Sequence, residues 1–137
     1  MNGYLFSYGT LLPEHAPQEI ADVVAKLEPL GAGSIPGFLY DFGEYPGAIF
    51  DPSSNRRVRG VVFRLPQDSD VLRRLDDYEG FRPNARRQSL FIRKLHPVKL
   101  ADGRMLRCWV YTYNGKPGVT HVVTSGRYGK KRAARRS

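Results

Sequence analysis

The chain has 137 residues, of which 41% are hydrophobic and 26% are charged, and these values are typical of one folded domain. Its single cysteine excludes an internal disulfide framework, and it contains no apolar run as long as a membrane-spanning helix requires. The first residues lack the basic and apolar regions of a signal peptide, so we expect a cytoplasmic protein.

The formal net charge of +9 is concentrated at the C-terminal end, because five cations fall within the last eight residues and the rest of the chain carries +4. We predict a domain over residues 1–128 and a basic, disordered tail over residues 129–137. The simplest interpretation of the tail is a solubilising end. The alternative is weak contact with nucleic acid or another polyanion, but no RNA-binding signature accompanies it.

The first half of the chain predicts two strands and a helix. Residues 3–8 alternate and are rich in aromatic side chains, as in a strand that ends at Gly9. Residues 13–28 fit a helix with an apolar face, and the prolines and glycines that follow are expected to end it. Residues 35–45 are rich in glycine and aromatic residues, with turns expected at Pro36-Gly37 and Tyr45-Pro46-Gly47, and residues 48–50 are expected to form a short strand.

The second half predicts a capped helix among several strands. Asp68 resembles the N-terminal cap of a helix that should end near Gly80. Asp102-Gly103 is a hairpin signal between two apolar alternations. Strand-like runs cover residues 58–65, 86–94, 98–100, 104–113 and 119–124. Many strands and two helices without regular alternation indicate an α+β fold whose mixed or antiparallel sheet can curl into a barrel.

Metal and thiol chemistry are not indicated. His15, His96 and His121 lie far apart in the sequence and have no metal-ligand spacing, so surface positions are expected for them. Cys108 lies within a predicted strand, where a buried, inert thiol is the usual state. The chain also lacks a glycine-rich phosphate loop and a nucleophile-elbow serine. We therefore expect no metal and no cofactor.

Glu79 is the candidate general base. It is predicted in the last turn of a helix, where the helix dipole disfavours a negative charge, and Tyr78 and Phe81 can exclude water from it. Both effects would raise the pKa of its carboxyl group toward the range that suits a general base. The alternative is an exposed glutamate at a helix end. Asp76 and Asp77 add negative charge nearby, but either can simply face water.

The loop Tyr8-Gly9-Thr10-Leu11 is the candidate binding element. One interpretation is a tight exit from the first strand, with Gly9 in the turn. The other is a set of free backbone N–H groups that hold a substrate carboxylate or oxyanion, because a turn leaves such donors unused. A glycine would also let ligand atoms come close to the backbone.

Several motifs in one order resemble the γ-glutamylcyclotransferase-like family, which includes the γ-glutamylamine cyclotransferases and the AIG2-like proteins. The loop at residues 8–11 matches its YG[ST]L motif, residues 37–47 match its GxLYDxGxYP pattern, and residues 75–80 match its LDxYEG element. Residues 58–63 and 109–113 resemble its central and late strands. Ser125-Gly126-Arg127-Tyr128 stands where many members carry SGDW, so Arg127 replaces an acidic residue.

The resemblance implies a small mixed β-barrel with flanking helices, with Glu79 as the acid/base residue and the loop at residues 8–11 as the binding site of a γ-glutamyl group. It also suggests that Gly43, Tyr45 and Tyr113 contact the substrate. The implied reaction is cyclisation of the γ-glutamyl group to 5-oxoproline with release of an amine. We expect a cofactor-independent monomer with a small-molecule substrate, no membrane partner and no nucleic-acid partner. The rival class is a non-catalytic module that binds a small anion in the same pocket.

Overall fold

A computed structural model of the chain describes residues 3–43, 45–116 and 121–128. The predicted tail at residues 129–137 and part of the predicted strand at residues 119–124 lie outside the described residues. Within the described part, no helix is long and apolar enough to cross a membrane. The elements in chain order are β1 (Tyr4–Ser7), α1 (Gln18–Val24), β2 (Glu28–Asp41), β3 (Pro46–Phe50), β4 (Arg57–Arg64), α2 (Ser69–Glu79), a 3₁₀ turn (Arg86–Gln88), β5 (Phe91–Leu100), β6 (Met105–Tyr113) and β7 (His121–Val122).

Five strands close into a barrel in the order β2-β4-β1-β6-β5, with β5 pairing back onto β2. The pairing of β1 with β6 is parallel, and the other pairs in the barrel are antiparallel. The outer part of β2 pairs instead with β3 and β7. The expected mixed β-barrel with flanking helices is therefore confirmed.

The core has two parts because side chains alternate along each strand. On β1, Leu5 belongs to a cluster that includes the buried faces of both helices, whereas Phe6 belongs to a second cluster with Val58, Val62 and Val110. The helices pack side by side on the first cluster, and Arg74 of α2 forms an ion pair with Asp22 of α1 at 2.6 Å.

Helix α2 forms where the sequence predicted it. The carboxylate of Asp68 accepts a hydrogen bond from the backbone N–H of Asp70 at 3.0 Å, which caps the first turn. Gly80 follows the last turn with a φ of 73°, the left-handed conformation that ends many helices. This stop fixes Glu79 as the last residue of the helix.

Three other predictions were wrong in extent. The helix expected over residues 13–28 spans only Gln18–Val24. The turn expected at Pro36-Gly37 lies inside the 14-residue strand β2, and the turn expected at Tyr45-Pro46-Gly47 runs into β3, which begins at Pro46. Strand β2 accommodates its first proline and glycine by a register shift between Pro29 and Gly31. The two strands expected over residues 86–94 and 98–100 form one strand, Phe91–Leu100, after the 3₁₀ turn.

Candidate active site

The candidate site is a cleft between the loop that follows β1 and the end of α2. Glu79 reaches this cleft from the last turn of α2, and only 6% of its surface is exposed. The empty volume of the cleft, including its open mouth, is about 340 Å³. The cleft is lined by Phe6, Ser7, Tyr8, Gly9, Thr10, Leu11, Tyr45, Pro46, Glu79, Phe91 and Tyr111. The structure therefore brings the predicted loop and the predicted carboxylate together.

The loop supplies backbone donors to this cleft. The carbonyl group of Gly9 accepts a hydrogen bond from the N–H of Leu12 at 2.9 Å, which closes a tight turn. Within the described residues, no backbone carbonyl accepts a hydrogen bond from the N–H of Gly9, Thr10 or Leu11. These amides are the kind of donors that hold a carboxylate or an oxyanion.

Gly9 is required by a close approach rather than by an unusual backbone angle, because it is not among the residues with positive φ. A Cβ atom at this position would lie 2.6 Å from Cγ of Pro46, a buried ring that also lines the cleft. A side chain at residue 9 would therefore push the two walls of the cleft apart.

Ser7 is a lining residue that the sequence analysis missed. Its side chain is 3% exposed, and its hydroxyl group has no hydrogen-bond partner within the described part of the chain. A buried hydroxyl without a partner costs about 1–3 kcal/mol, which a ligand that bonds to it would offset. The signal available in the sequence was its position near the end of the predicted strand, next to the loop.

Tyr8 contributes a side chain that acts structurally. Its hydroxyl group donates a hydrogen bond to the backbone carbonyl of Tyr111 at 2.5 Å and accepts one from the N–H of Ala48 at 3.2 Å. Burial, together with the negative charge of Glu79, raises the pKa of Tyr8 far above its ordinary value. The hydroxyl group therefore stays neutral and ties the loop to β3 and β6.

A buried polar network lies behind Glu79. The hydroxyl group of Tyr111 donates a hydrogen bond to Oδ1 of Asp76 at 2.6 Å. Arg93 holds the same carboxylate with two hydrogen bonds, from Nε to Oδ1 at 2.7 Å and from Nη2 to Oδ2 at 3.1 Å. The guanidinium group of Arg93 also lies 4.3 Å from the ring centre of Trp109. Burial, followed by the charge of Asp76, raises the pKa of the Tyr111 hydroxyl well above its ordinary value.

Asp76 therefore does not simply face water, as one interpretation of the sequence allowed, whereas Asp77 has 73% of its side chain exposed. Strand pairing explains the network, because Arg93 of β5 lies directly opposite Tyr111 of β6. An arginine among apolar residues in a predicted strand was the signal that could have found it.

Gly43, Tyr45 and Tyr113 were also suggested as substrate contacts. Of these three, Tyr45 lines the cleft. Tyr113 is absent from the lining, and its ring packs 5.9 Å from Phe91, which does line it. Gly43 is exposed outside the cleft, in a turn where its N–H donates to the carboxylate of Asp41 at 2.8 Å.

The histidines and the cysteine form no metal centre in the described ranges. His121 is exposed as expected, whereas His15 packs against Tyr128 and His96 is half-buried against Phe50. Burial, followed by the positive charges of nearby residues, lowers the pKa of His96 below its ordinary value. Cys108 is buried, and burial raises the pKa of its thiol to about 11.

Comparisons with known proteins identify the family and similar folds. The family model described as gamma-glutamyl cyclotransferase, AIG2-like matches residues 5–130. An AIG2-like protein from Mus musculus has 20% identity and a TM-score of 0.70, with 93% of this chain and 88% of that chain covered. The ytfP protein from Escherichia coli has 26% identity and a TM-score of 0.63, with 93% and 97% covered.

YkqA from Bacillus subtilis has 21% identity and a TM-score of 0.67, and the match covers 93% of this chain but 40% of YkqA. None of the curated proteins compared with the chain matches it. The family match spans the loop at residues 8–11, Glu79 and the turn at residues 125–128. The chain therefore belongs to the gamma-glutamyl cyclotransferase, AIG2-like family.

Proposed function

We propose that this protein is a cofactor-independent γ-glutamyl cyclotransferase that converts a γ-glutamyl-amine or γ-glutamyl peptide into 5-oxoproline and a free amine. The observation that carries the proposal is the position of Glu79, a buried carboxylate in the same cleft as the loop amides of residues 9–11, which donate to no backbone carbonyl among the described residues. Family membership supports the same class of reaction.

In the proposed reaction, Glu79 takes a proton from the α-ammonium group of the substrate. The α-amine then attacks the side-chain amide carbon of the same γ-glutamyl group, and a five-membered lactam forms. The attacking nitrogen loses a second proton as the lactam forms. Both protons end on the departing nitrogen, one of them returned by Glu79 as the C–N bond breaks, so that the amine leaves as an ammonium ion. Because nucleophile and electrophile belong to one molecule, holding the cyclising conformer supplies much of the rate enhancement.

The loop would hold that conformer. The N–H groups of Gly9, Thr10 and Leu11 are suited to the α-carboxylate or to the oxygen that gains charge during attack. The Ser7 hydroxyl offers one further contact in the cleft. The cleft is open on one side, so we place the leaving amine at its mouth.

The test is formation of 5-oxoproline by the full-length protein from a panel of γ-glutamyl-amines and γ-glutamyl peptides. We expect Glu79→Gln to lower turnover at least about 100-fold, because the amide keeps the shape of the side chain but cannot accept the proton. The matched control is Glu19→Gln on α1, an exposed position that should retain turnover.

Normal turnover by a folded Glu79→Gln variant would contradict the proposed role of Glu79. A protein that binds γ-glutamyl compounds but releases no 5-oxoproline would instead be the non-catalytic binding module. The remaining expectations, a cytoplasmic monomer with its domain over residues 1–128 and no membrane or nucleic-acid partner, stay part of this proposal.

A further inference from the structure

Arg127, which replaces the acidic residue of the family motif, belongs to a second site on the barrel. The turn that carries it packs against β4, where the N–H of Arg59 donates to the carbonyl group of Gly126 at 2.8 Å. A Cβ atom on residue 126 would collide with the carbonyl oxygen of Arg57, so the turn can lie this close only because that residue is glycine. This packing places Arg127 beside Arg57 and Arg59.

Strand register brings a fourth cation to the same place. Ser34 of β2 lies opposite Arg59 of β4 on one side and opposite Lys99 of β5 on the other. Directly opposed residues on neighbouring strands have Cβ atoms about 5 Å apart, so their side chains share one face of the barrel. Together with Arg127, these side chains border a groove of about 400 Å³. The groove is lined by Ala32, Gly33, Ser34, Arg57, Arg59, Gly60, Lys99, Leu100, Ala101 and Arg127.

No acidic residue lines this groove, and within the described residues none of its four cations forms an ion pair with a carboxylate. Five arginines outside the groove differ in this respect, because each has an acidic partner: Arg64, Arg73, Arg74, Arg93 and Arg104. Four positive charges gathered without counter-charges repel one another, and a bound anion would relieve that repulsion.

One of the three guanidinium groups is held in place before any ligand arrives. Arg57 donates from Nε to the hydroxyl group of Ser34 at 3.0 Å and from Nη2 to the Ser34 carbonyl group at 3.1 Å. Two of its five N–H donors are engaged in this way, and the others are left for a ligand. A fixed guanidinium group loses less conformational freedom on binding than a mobile one.

We propose that this groove binds a compact anion with three or four negative charges, of the kind that a diphosphate or triphosphate chain presents. A single carboxylate would balance only one of the four cations, whereas a short phosphate chain can contact several at once. Guanidinium groups match phosphate oxygens in geometry, and Lys99 adds a point charge. The volume falls within the range of small-molecule sites. The groove shares no lining residue with the cleft at Glu79, so the two sites are separate.

The test is calorimetric titration of the full-length protein with inorganic triphosphate at fixed ionic strength. We expect one-to-one binding that weakens at least about tenfold in Arg127→Ala, and similarly in Lys99→Ala, because each removes a charged hydrogen-bond donor. The matched control is Arg56→Ala, which removes the same charge from an exposed residue outside the groove and should change the affinity less than about twofold. Melting temperatures verify that each variant is folded.

Each other outcome overturns the proposal. The proposal is wrong if the unchanged protein shows no detectable binding of triphosphate. It is also wrong if Arg127→Ala and Arg56→Ala weaken binding equally, because that result would indicate only a response to net charge. Binding that survives both groove substitutions would assign the anion to the five cations beyond residue 129. Preference for a single-stranded RNA over triphosphate at equal phosphate concentration would indicate a nucleic-acid surface instead.

Glu79→Gln should leave triphosphate affinity unchanged, so failure of the proposed enzyme activity would not affect this result.

Discussion

Replacing Asp76 by asparagine tests whether the network behind Glu79 holds the fold together. The change keeps the shape of the side chain but leaves Arg93 without a carboxylate, and the side chains of Asp76 and Arg93 are only 10% and 14% exposed. Removing one partner of a buried ion pair costs about 3–5 kcal/mol. We expect the lower end, about 3 kcal/mol, because Arg93 keeps its contact with the ring of Trp109. For a chain of this size, the melting temperature should fall by roughly 10 °C.

The matched control is Asp77→Asn, which removes the same charge from the next residue of α2. Asp77 has 73% of its side chain exposed, and its ion pair with Arg73 is long, at 3.6 Å. An exposed pair of this kind contributes less than about 1 kcal/mol, so the control should unfold near the original temperature. Both residues lie near the C-terminal end of α2, so the effect of the helix dipole is similar in the two variants.

The measurement is thermal and urea unfolding followed by circular dichroism, for both variants and for the double variant Asp76→Leu/Arg93→Met. The double variant should regain much of the lost stability, because it leaves no unpaired charge in the interior. Equal stability of Asp76→Asn and Asp77→Asn would refute the reasoning. If the double variant were less stable than Asp76→Asn, lost packing rather than an unpaired charge would be the cause.

Three further predictions concern the cleft and the barrel. Gly9→Ala should lower the free energy of unfolding by about 1–3 kcal/mol and weaken substrate binding. The double variant Gly9→Ala/Pro46→Ala should recover part of the stability and part of the affinity, because it removes the ring that collides with the new Cβ atom. If neither recovered, the strain would lie elsewhere. Ser7→Ala should raise KM without lowering the melting temperature, because the hydroxyl group it removes has no protein partner; an unchanged KM would exclude substrate contact. Burial lowers the pKa of His96 in the folded protein. As the pH falls, His96 is therefore protonated first in the unfolded state, which favours unfolding. The contribution of neutral His96 to the free energy of unfolding is present above about pH 6.5 and is lost below it. The free energy of unfolding should therefore decline more between pH 7 and pH 5 in the original protein than in His96→Phe, and parallel curves would contradict this.

The part of the fold that the sequence predicted is the part set by local signals. The start and end of α2 follow from the capping side chain of Asp68 and from Gly80, both of which act within one turn of the chain. The hairpin at Asp102-Gly103 is local in the same way, and it joins β5 to β6 in antiparallel register.

Strand β2 could not be predicted by this route. Residues 28–41 are rich in proline and glycine, and local preference favours turns there. They form a strand because β3 folds back on its last part as a hairpin, and β4, which is more distant in sequence, pairs with its first part. Tertiary pairing therefore overrode local preference.

The residues of the candidate site also fall into two groups, those that local signals predicted and those that they did not. The loop at residues 8–11 and Glu79 were found because each lies in a short, recognisable motif next to a predictable element. Ser7 and the Asp76–Arg93 pair were not found, because their importance depends on which side chains meet across strands and helices. Register between β5 and β6 decides that Arg93 and Tyr111 both reach Asp76, and no local pattern encodes it.

The contacts of Asp76 also bear on which carboxylate can carry a proton in the proposed reaction. Asp76 and Glu79 lie three residues apart on α2 and therefore on neighbouring parts of the same helix face. Arg93 engages both oxygens of Asp76, and Tyr111 donates to one of them, so this carboxylate is already held by protein donors. Asp76 is also absent from the lining of the cleft, whereas Glu79 is part of it. Of these two carboxylates, only Glu79 is placed to exchange a proton with a substrate, and Asp76 acts on the cleft by holding Tyr111.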